Sequence, residues 1–298
     1  MRLGVMILTE EPWRTNAHRW RAAEELGFDS AWTYDHLHWR GLRGSPWYAS
    51  LPVLAAAAAL TERITIGVMV ASPNFRHPVT LAKDVMTIDD ISAGRFVLGI
   101  GAGSPDAGDA AALGTPPLPT GERAARFAEF VELTDRLLRT PLTTHRGRFY
   151  TVQDAVMIPG CVRDPRAPLA IAASGPRGLA LAARYADAWV TMGPTDWSRT
   201  HEPAGCLAAA TEQMARFRTA CARAGRDPGD LDRIFVSTGW AGDPLASPKA
   251  CLEMAERYAA AGFTDLIVHW PRPSGVYAGD PAMLDRIAEE VLPQIHRL

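Results

Sequence analysis

Lysine is nearly absent: Lys83 and Lys249 are the only two in 298 residues, so the positive charge is carried almost wholly by arginine. No predicted strand end therefore carries a lysine for Schiff-base chemistry. Cysteine is scarce too. Cys161, Cys206, Cys221 and Cys251 are scattered, without a CxxC or Cys/His cluster, which argues against zinc and a disulfide framework. No carboxylate/histidine cluster has metal-ligand spacing, so no metal is expected. A formal net charge of -2 gives no electrostatic case for nucleic acid or an anionic membrane. No run approaches the ~18 uninterrupted apolar residues of a membrane span. Met1-Arg2-Leu3 leads straight into a strand pattern without a signal-type cationic and apolar run, and a cytoplasmic protein is expected.

What is present is an ordinary globular composition, 47% hydrophobic and 21% charged, arranged as alternating strand and helix patterns. Ile64 to Val70 is a β-branched run with too few polar positions for a half-exposed strand. Val79, Leu81, Ala82, Val85, Met86 and Ile88 follow at helical spacing, Ser92-Ala93-Gly94 breaks the helix, and Arg95 to Ile100 is a second buried strand. Two buried strands joined by a helix make a parallel βαβ unit.

The remaining strands are predicted at Leu3–Leu8, Ser30–Thr33, Leu169–Ala173, Ala188–Thr191, Arg233–Thr238 and Asp265–His269. Their helices are predicted over 16–26, 51–60, 121–138, 176–185, 204–224, 248–260 and 281–294. Residues 143–157 read as a β excursion turning at His145 to Arg148. Eight strand–helix pairs predict an α/β fold, a single (β/α)8 TIM barrel over 1–298 with extended loops at the C-terminal face of its strands.

In such a barrel the site lies at the C-terminal strand ends. That nominates Thr9 and Glu10, Tyr34-Asp35-His36, Ser72 and Asn74, Ser104, Ser174 and Gly175, Met192 and Gly193, Trp240, and His269-Trp270. The set is mostly uncharged and aromatic, which suits a planar redox cofactor better than hydrolysis. His36 is a candidate base or a loop histidine capping backbone groups. Ala173-Ser174-Gly175-Pro176 exposes N–H groups at a helix start, either an anion site or an ordinary turn. Trp240, His269 and Trp270 wall the pocket or pack in the core. Gly99-x-Gly101-x-Gly103 lacks the spacing of a dinucleotide fingerprint and reads as glycines that let a backbone or a ring approach. Arg123, Arg126 and Arg136 read as a helix face that is solvated or paired with neighbouring Glu; Trp13, Trp39 and Trp47 read as lid or dimer-interface residues.

Arg76-His77-Pro78, Leu81-Ala82-Lys83, Asp89, Ile91-Ser92-Ala93-Gly94-Arg95 and Leu98-Gly99-Ile100-Gly101-Ala102-Gly103, in that order, resemble the bacterial luciferase-like monooxygenase superfamily. Ser30 to Leu37 is similar to its second-strand motif, where Asp-His is common among members using coenzyme F420 and Glu-His among many that use FMN. The resemblance implies a coenzyme F420-dependent oxidoreductase acting on a small molecule, with His36 and Asp35 at the reacting centre. It implies ring contacts from Met69, Val70, Ala71, Ser72, Gly101, Gly103 and Ser104, and a non-proline cis peptide at Met69-Val70 or one bond later. Cofactor phosphate falls to Ala173, Ser174 and Gly175, with Met192 and Gly193 nearby; Thr9, Trp240, His269 and Trp270 face substrate. In the sugar-phosphate dehydrogenase branch a glutamate acid follows the glycine run; here Ser104 stands there, so that chemistry does not carry over. A homodimer is implied. The alternatives are an FMN-dependent monooxygenase served by a partner flavin reductase, and a non-catalytic flavin-binding protein.

Overall fold

A computed structural model describes residues 1–104, 108–196 and 198–298. Pro105, which follows the glycine run, lies outside them, as do Asp106, Ala107 and Trp197.

In chain order the elements are β1 (Arg2–Met6), α1 (Trp13–Glu25), β2 (Ser30–Thr33), α2 (Ser50–Leu60), β3 (Thr65–Ala71), α3 (Pro78–Ile91), β4 (Phe96–Gly101), α4 (Asp109–Ala112), α5 (Thr120–Arg139), β5 (Leu142–Arg146) and β6 (Thr151–Val156). They continue with β7 (Leu169–Ala172), α6 (Pro176–Tyr185), β8 (Ala188–Thr191), α7 (Pro203–Ala224), β9 (Asp232–Val236), α8 (Pro248–Ala260), β10 (Asp265–His269), α9 (Ala282–Glu290) and α10 (Leu292–Ile295). Eight parallel strands close in the order β1-β10-β9-β8-β7-β4-β3-β2, and β5-β6 form a separate antiparallel pair. This is the predicted barrel.

Two apolar layers hold it. Outside, leucine, valine and aromatic side chains of strands and helices interlock. Inside, Met6, Trp32, Met69, Ala170, Ala188, Val190, Ile234 and Ile267 fill the bore. The bore is packed by matching large residues to small ones. Trp32 lies across β3, where a Cβ on Gly67 would come within 2.2 Å of its ring, and its Nε1 donates to Ser30 Oγ at 2.8 Å.

The glycine run of β4 has the same origin. The β3–β4 register shifts between Val68 and Ala71, and the Met69–Val70 peptide is cis. Along the register shift β3 lies close against β4. A Cβ on Gly99 would meet the Val68 carbonyl oxygen at 2.1 Å, and one on Gly101 would meet Val70 Cγ2 at 2.5 Å.

Motif residues far from the mouth are structural. Arg95 donates to the carbonyls of Ala58, Thr61 and Ile64, closing the end of α2. Buried Asp89 accepts from Val162 N–H at 2.7 Å and fixes the segment after the hairpin.

Three expectations need correction. The final helix breaks at Val291, because Pro293 has no N–H and its ring would clash with the preceding turn. His145 and Arg146 pair with Val152 and Thr151 inside the ladder, and the chain reverses at Gly147–Tyr150. There Glu129 accepts from the N–H groups of Arg148, Phe149 and Tyr150. Arg126 and Arg136 are not simply solvated: they donate to Asn74 Oδ1 and His145 Nδ1.

The close β3–β4 approach gives a stability test. Gly99→Ala should cost about 3 kcal/mol, because backbone must move to admit the methyl group. Urea unfolding checks it, with the exposed Gly121→Ala as a control that changes little.

Candidate active site

The C-terminal mouth is built from four pieces. At the end of β2, Asp35 is 1% exposed. Its Oδ2 accepts from Arg76 Nε at 3.0 Å, and its Oδ1 from Arg76 NH2 at 2.7 Å and from Ser50 Oγ. The carboxylate thus ties β2, the start of α2 and the β3–α3 turn together, and both its oxygens face protein donors. His36 points differently. Its Nδ1 donates to Asp109 Oδ2 at 2.8 Å, and the other Asp109 oxygen accepts from Leu37 N–H at 2.8 Å. The donor role of Nδ1 follows from the carboxylate, an acceptor when ionised. That leaves Nε2 for an external group, on a side chain 25% exposed.

The second piece is the β3 irregularity, with Met69, Val70, Ala71 and Ser72 along it. Opposite it run Gly101, Ala102 and Gly103. Gly103 has φ +73° and lies against the Asn74 amide, whose Nδ2 donates to the Ser104 carbonyl. The glycines let side chains of the β3 end pack close, Val70 over Gly101 and Asn74 over Gly103.

The third piece is the β7–β8 edge. Ala173 N–H is bonded to the Val190 carbonyl, and the Ala173 carbonyl accepts from Trp189 Nε1. Beyond it, Gly175 caps α6 without a side-chain hydrogen bond, and Pro176 opens the helix. The first N–H groups of a helix have no partners within it and draw anions. Gly193, at φ +81°, donates its N–H to Thr191 Oγ1 and accepts from Gln213 Nε2, which fixes the turn beside Met192.

The fourth piece is the β9–β10 arc. Here His269 is buried, sharing a 2.7 Å hydrogen bond between Nε2 and the Tyr34 hydroxyl, and Tyr277 stacks on it at 3.5 Å and 9°. Burial drives the His269 pKa down to about 3, so the ring is neutral. Burial, then the neighbouring Tyr277, pushes the Tyr34 phenol well above its ordinary value. Trp39 stacks on Tyr277 and meets Trp47, walling the mouth. The strap carrying Tyr277 is held by the buried Arg272–Glu10 pair, bidentate at 2.6 and 2.7 Å. A pocket of about 230 Å³ opens between Ser237-Thr238 and His269-Tyr277.

The remaining nominated residues make contacts of their own. Thr9 donates its hydroxyl to the Tyr48 carbonyl and accepts from Tyr48 N–H with its own carbonyl, fastening the β2–α2 loop. Trp270 belongs to the outer core, and Trp240 packs edge-on against His201. Trp13 packs on the outer core as well. Among the described residues no group of three or more His, Cys, Asp or Glu could hold a metal ion, and no helix is long and apolar enough to cross a membrane. Sequence reasoning missed Asp109, Arg272 and Tyr277. Each acts across a long separation, and only the charge and aromatic content of otherwise irregular loops hinted at them.

Residues 1–261 match the family model described as luciferase-like monooxygenase, and the chain belongs to that family. The F420-dependent glucose-6-phosphate dehydrogenase of Beutenbergia cavernae is 32% identical over 92% of this chain and 90% of its own length. The F420-dependent hydroxymycolic acid dehydrogenase of Mycobacterium tuberculosis is 30% identical over 82% of this chain and 64% of its own. An F420-dependent secondary alcohol dehydrogenase, solved with an F420-acetone adduct, superposes with TM-score 0.81 at 19% identity, covering 99% and 98% of the two chains. The F420-dependent tetrahydromethanopterin reductase of Methanopyrus kandleri superposes with TM-score 0.77 at 20% identity, covering 99% of each. These two structures share the fold.

Two outcomes follow from the geometry. Arg76→Met leaves Asp35 buried without its charge partner and should destabilise by about 3 kcal/mol, read by urea denaturation. His269 takes up its proton in the unfolded chain near pH ~6.5 and in the folded chain only near 3. Between those values the unfolded state binds the extra proton, so stability falls as pH falls, by about 1 kcal/mol per pH unit from this group. His269→Gln, which keeps a partner for Tyr34, should flatten the thermal-stability profile between pH 6.5 and 4.

Proposed function

We infer that this chain is a coenzyme F420-dependent oxidoreductase, and we propose that it transfers a hydride between the deazaflavin and a small organic substrate, reducing a C=C or C=N bond or catalysing the reverse. The observation that carries the reading is the convergence at one mouth of a carboxylate-oriented histidine, the irregular end of β3 and an uncapped helix N-terminus. The family and the F420-dependent relatives support it.

The residues fit the cofactor. A planar ring needs a fixed backing, and we place it against the β3 end from Met69 to Ser72, which packs closely on Gly101 and is braced by Asn74 against Gly103. An anionic tail needs N–H donors, and the start of α6 presents them at Ser174, Gly175, Arg177 and Gly178, Ala173 N–H being bonded within the barrel. When bound, the deazaflavin exchanges two electrons and a proton as hydride.

Reduction of a double bond also consumes a proton, and the reverse reaction releases one. His36 Nε2 is the group we assign to that proton, with Asp109 orienting the ring through Nδ1. Asp35 holds the preceding backbone in place. Water exclusion falls to the aromatic wall of Trp39, Trp47 and Tyr277. We read residues 1–298 as one catalytic domain of a cytoplasmic homodimer with no macromolecular substrate.

Anaerobic fluorescence titration of the purified apoprotein tests the cofactor. Micromolar binding of F420 and little of FMN is expected. A preference for FMN, with oxygen uptake dependent on a flavin reductase, would instead establish the monooxygenase alternative; binding without turnover would leave a flavin-binding protein. With a substrate in hand, His36→Ala should lower kcat by about 10²- to 10⁴-fold, within the range of general acid–base catalysis, while F420 affinity stays nearly constant. Asp109→Asn should lower kcat less and displace the pH–rate profile; an unchanged profile would remove Asp109 from the mechanism.

A further inference from the structure

The strap after β10 is fastened to the barrel in an unusual way. Pro271 and Arg272 are buried, and residues 273–280 are exposed except for Tyr277, which is half-buried. The backbone of the strap closes on itself. The Tyr277 carbonyl accepts from Arg272 N–H, Gly279 N–H donates to the Arg272 carbonyl, and Ala278 N–H donates to that of Gly275. The Arg272 guanidinium adds bonds to the carbonyls of Ser274 and Val276 while it holds Glu10. Among the described residues no backbone hydrogen bond joins 273–279 to anything beyond Arg272. The tip is therefore held over the mouth by the ring of Tyr277.

That ring spans two sides of the mouth. It stacks on His269 from β10 at 3.5 Å, and Trp39 from the β2–α2 loop stacks on it at 6.1 Å and 13°. Trp39 in turn meets Trp47, whose Nε1 donates to the His36 carbonyl at 2.9 Å, so the facing side is fixed. The backbone of Tyr277 lies at φ +58°, in the left-handed region that a bulky side chain disfavours. Aromatic contacts thus hold the residue where its own backbone resists. Trp39, Trp47 and Tyr277 share one apolar cluster with Val70 and Met192, so they close over the surface assigned above to the cofactor.

We propose that residues 273–279 form a lid whose latch is Tyr277, and that the mouth takes up a planar occupant only when this ring leaves His269 and Trp39. Arg272, pinned to Glu10, is the fixed base about which the exposed tip moves. Naming the occupant as F420 rests on the reading above. The opening itself belongs to the chain and is measurable without cofactor.

Chymotrypsin digestion of the native apoprotein, followed by mass, tests the latch, because cleavage after Tyr277 requires its ring to swing out. Slow cleavage there is expected, and Trp39→Ala should speed it about fivefold, the worth of one aromatic pair. Cleavage after the buried Tyr258 should not change. An unchanged rate at Tyr277, or an equal rise at Tyr258 from general loosening, would overturn the latch. Anaerobic stopped-flow binding of F420 tests the gate. Removing a lid speeds entry and exit together, whereas removing a wall contact speeds exit alone. Tyr277→Gly deletes the ring and suits a left-handed backbone, so association and dissociation should both rise about fivefold or more. Tyr277→Phe keeps the ring and should restore slow entry. Faster dissociation alone would overturn the gate. Failure of F420 to bind would overturn the cofactor reading, while the apoprotein digestion still decides the latch.

Discussion

A carboxylate removed from water must find charge and hydrogen bonds nearby, and at the end of β2 that demand organises the mouth of the barrel. Asp35 meets it with the fork of Arg76 and the hydroxyl of Ser50. Asp35 and Ser50 bracket the β2–α2 connection and Arg76 lies in the β3–α3 connection, so one ion pair sets their relative positions. His36 is the next residue and inherits its direction from this anchor. Its ring then reaches Asp109 on α4, which adds the loop after β4 to the same assembly. Replacing the pair by apolar residues could be tolerated energetically, but it would release the histidine's backbone from its neighbours.

The same logic explains the scarcity of lysine better than a surface argument does. Arg95, Arg166, Arg226 and Arg233 each bond to backbone carbonyls at the ends of helices or loops. Arg166 also bridges Asp135 and Asp187. A planar guanidinium offers several fixed donors, whereas an ammonium is a compact point charge on a flexible stem. Much of the positive charge is therefore bound into the scaffold rather than held ready for ligands.

Most of the barrel was legible because strand and helix periodicities alternate cleanly, and Ser30–Thr33, Pro176–Tyr185, Ala188–Thr191, Pro248–Ala260 and Asp265–His269 coincide with their predicted bounds. Where the reading slipped, a side chain from elsewhere decided the outcome: Glu129 moved the hairpin turn, and Pro293 broke a helix that periodicity alone would continue. The glycines of β4 were legible as sites of close approach, but not their partner. The partner is the irregular end of β3, and no pattern in β4 encodes a neighbour's register shift. Asp109 illustrates the limit for the site. It lies 73 residues beyond His36, in a stretch whose sequence has no periodicity, and its role exists only once the barrel brings β2 and β4 near each other.

The mouth is chemically divided, and the division follows from burial. On the β2–β4 side a carboxylate is left beside His36 to orient it. On the β9–β10 side the histidine is sealed between Tyr34 and Tyr277, where charging it would remove an ion from water with no carboxylate to receive it. Two histidines at the strand ends on either side of β1 thus have opposite surroundings: one ring is oriented by a carboxylate, and the other is sealed as an uncharged flat wall. In the proposed reaction such a partition would confine proton movement to the His36 side and leave the His269 side to shape and neutral hydrogen bonds. The identity of the residue type at a strand end is therefore insufficient to assign its chemistry; the partner that burial leaves available to it decides.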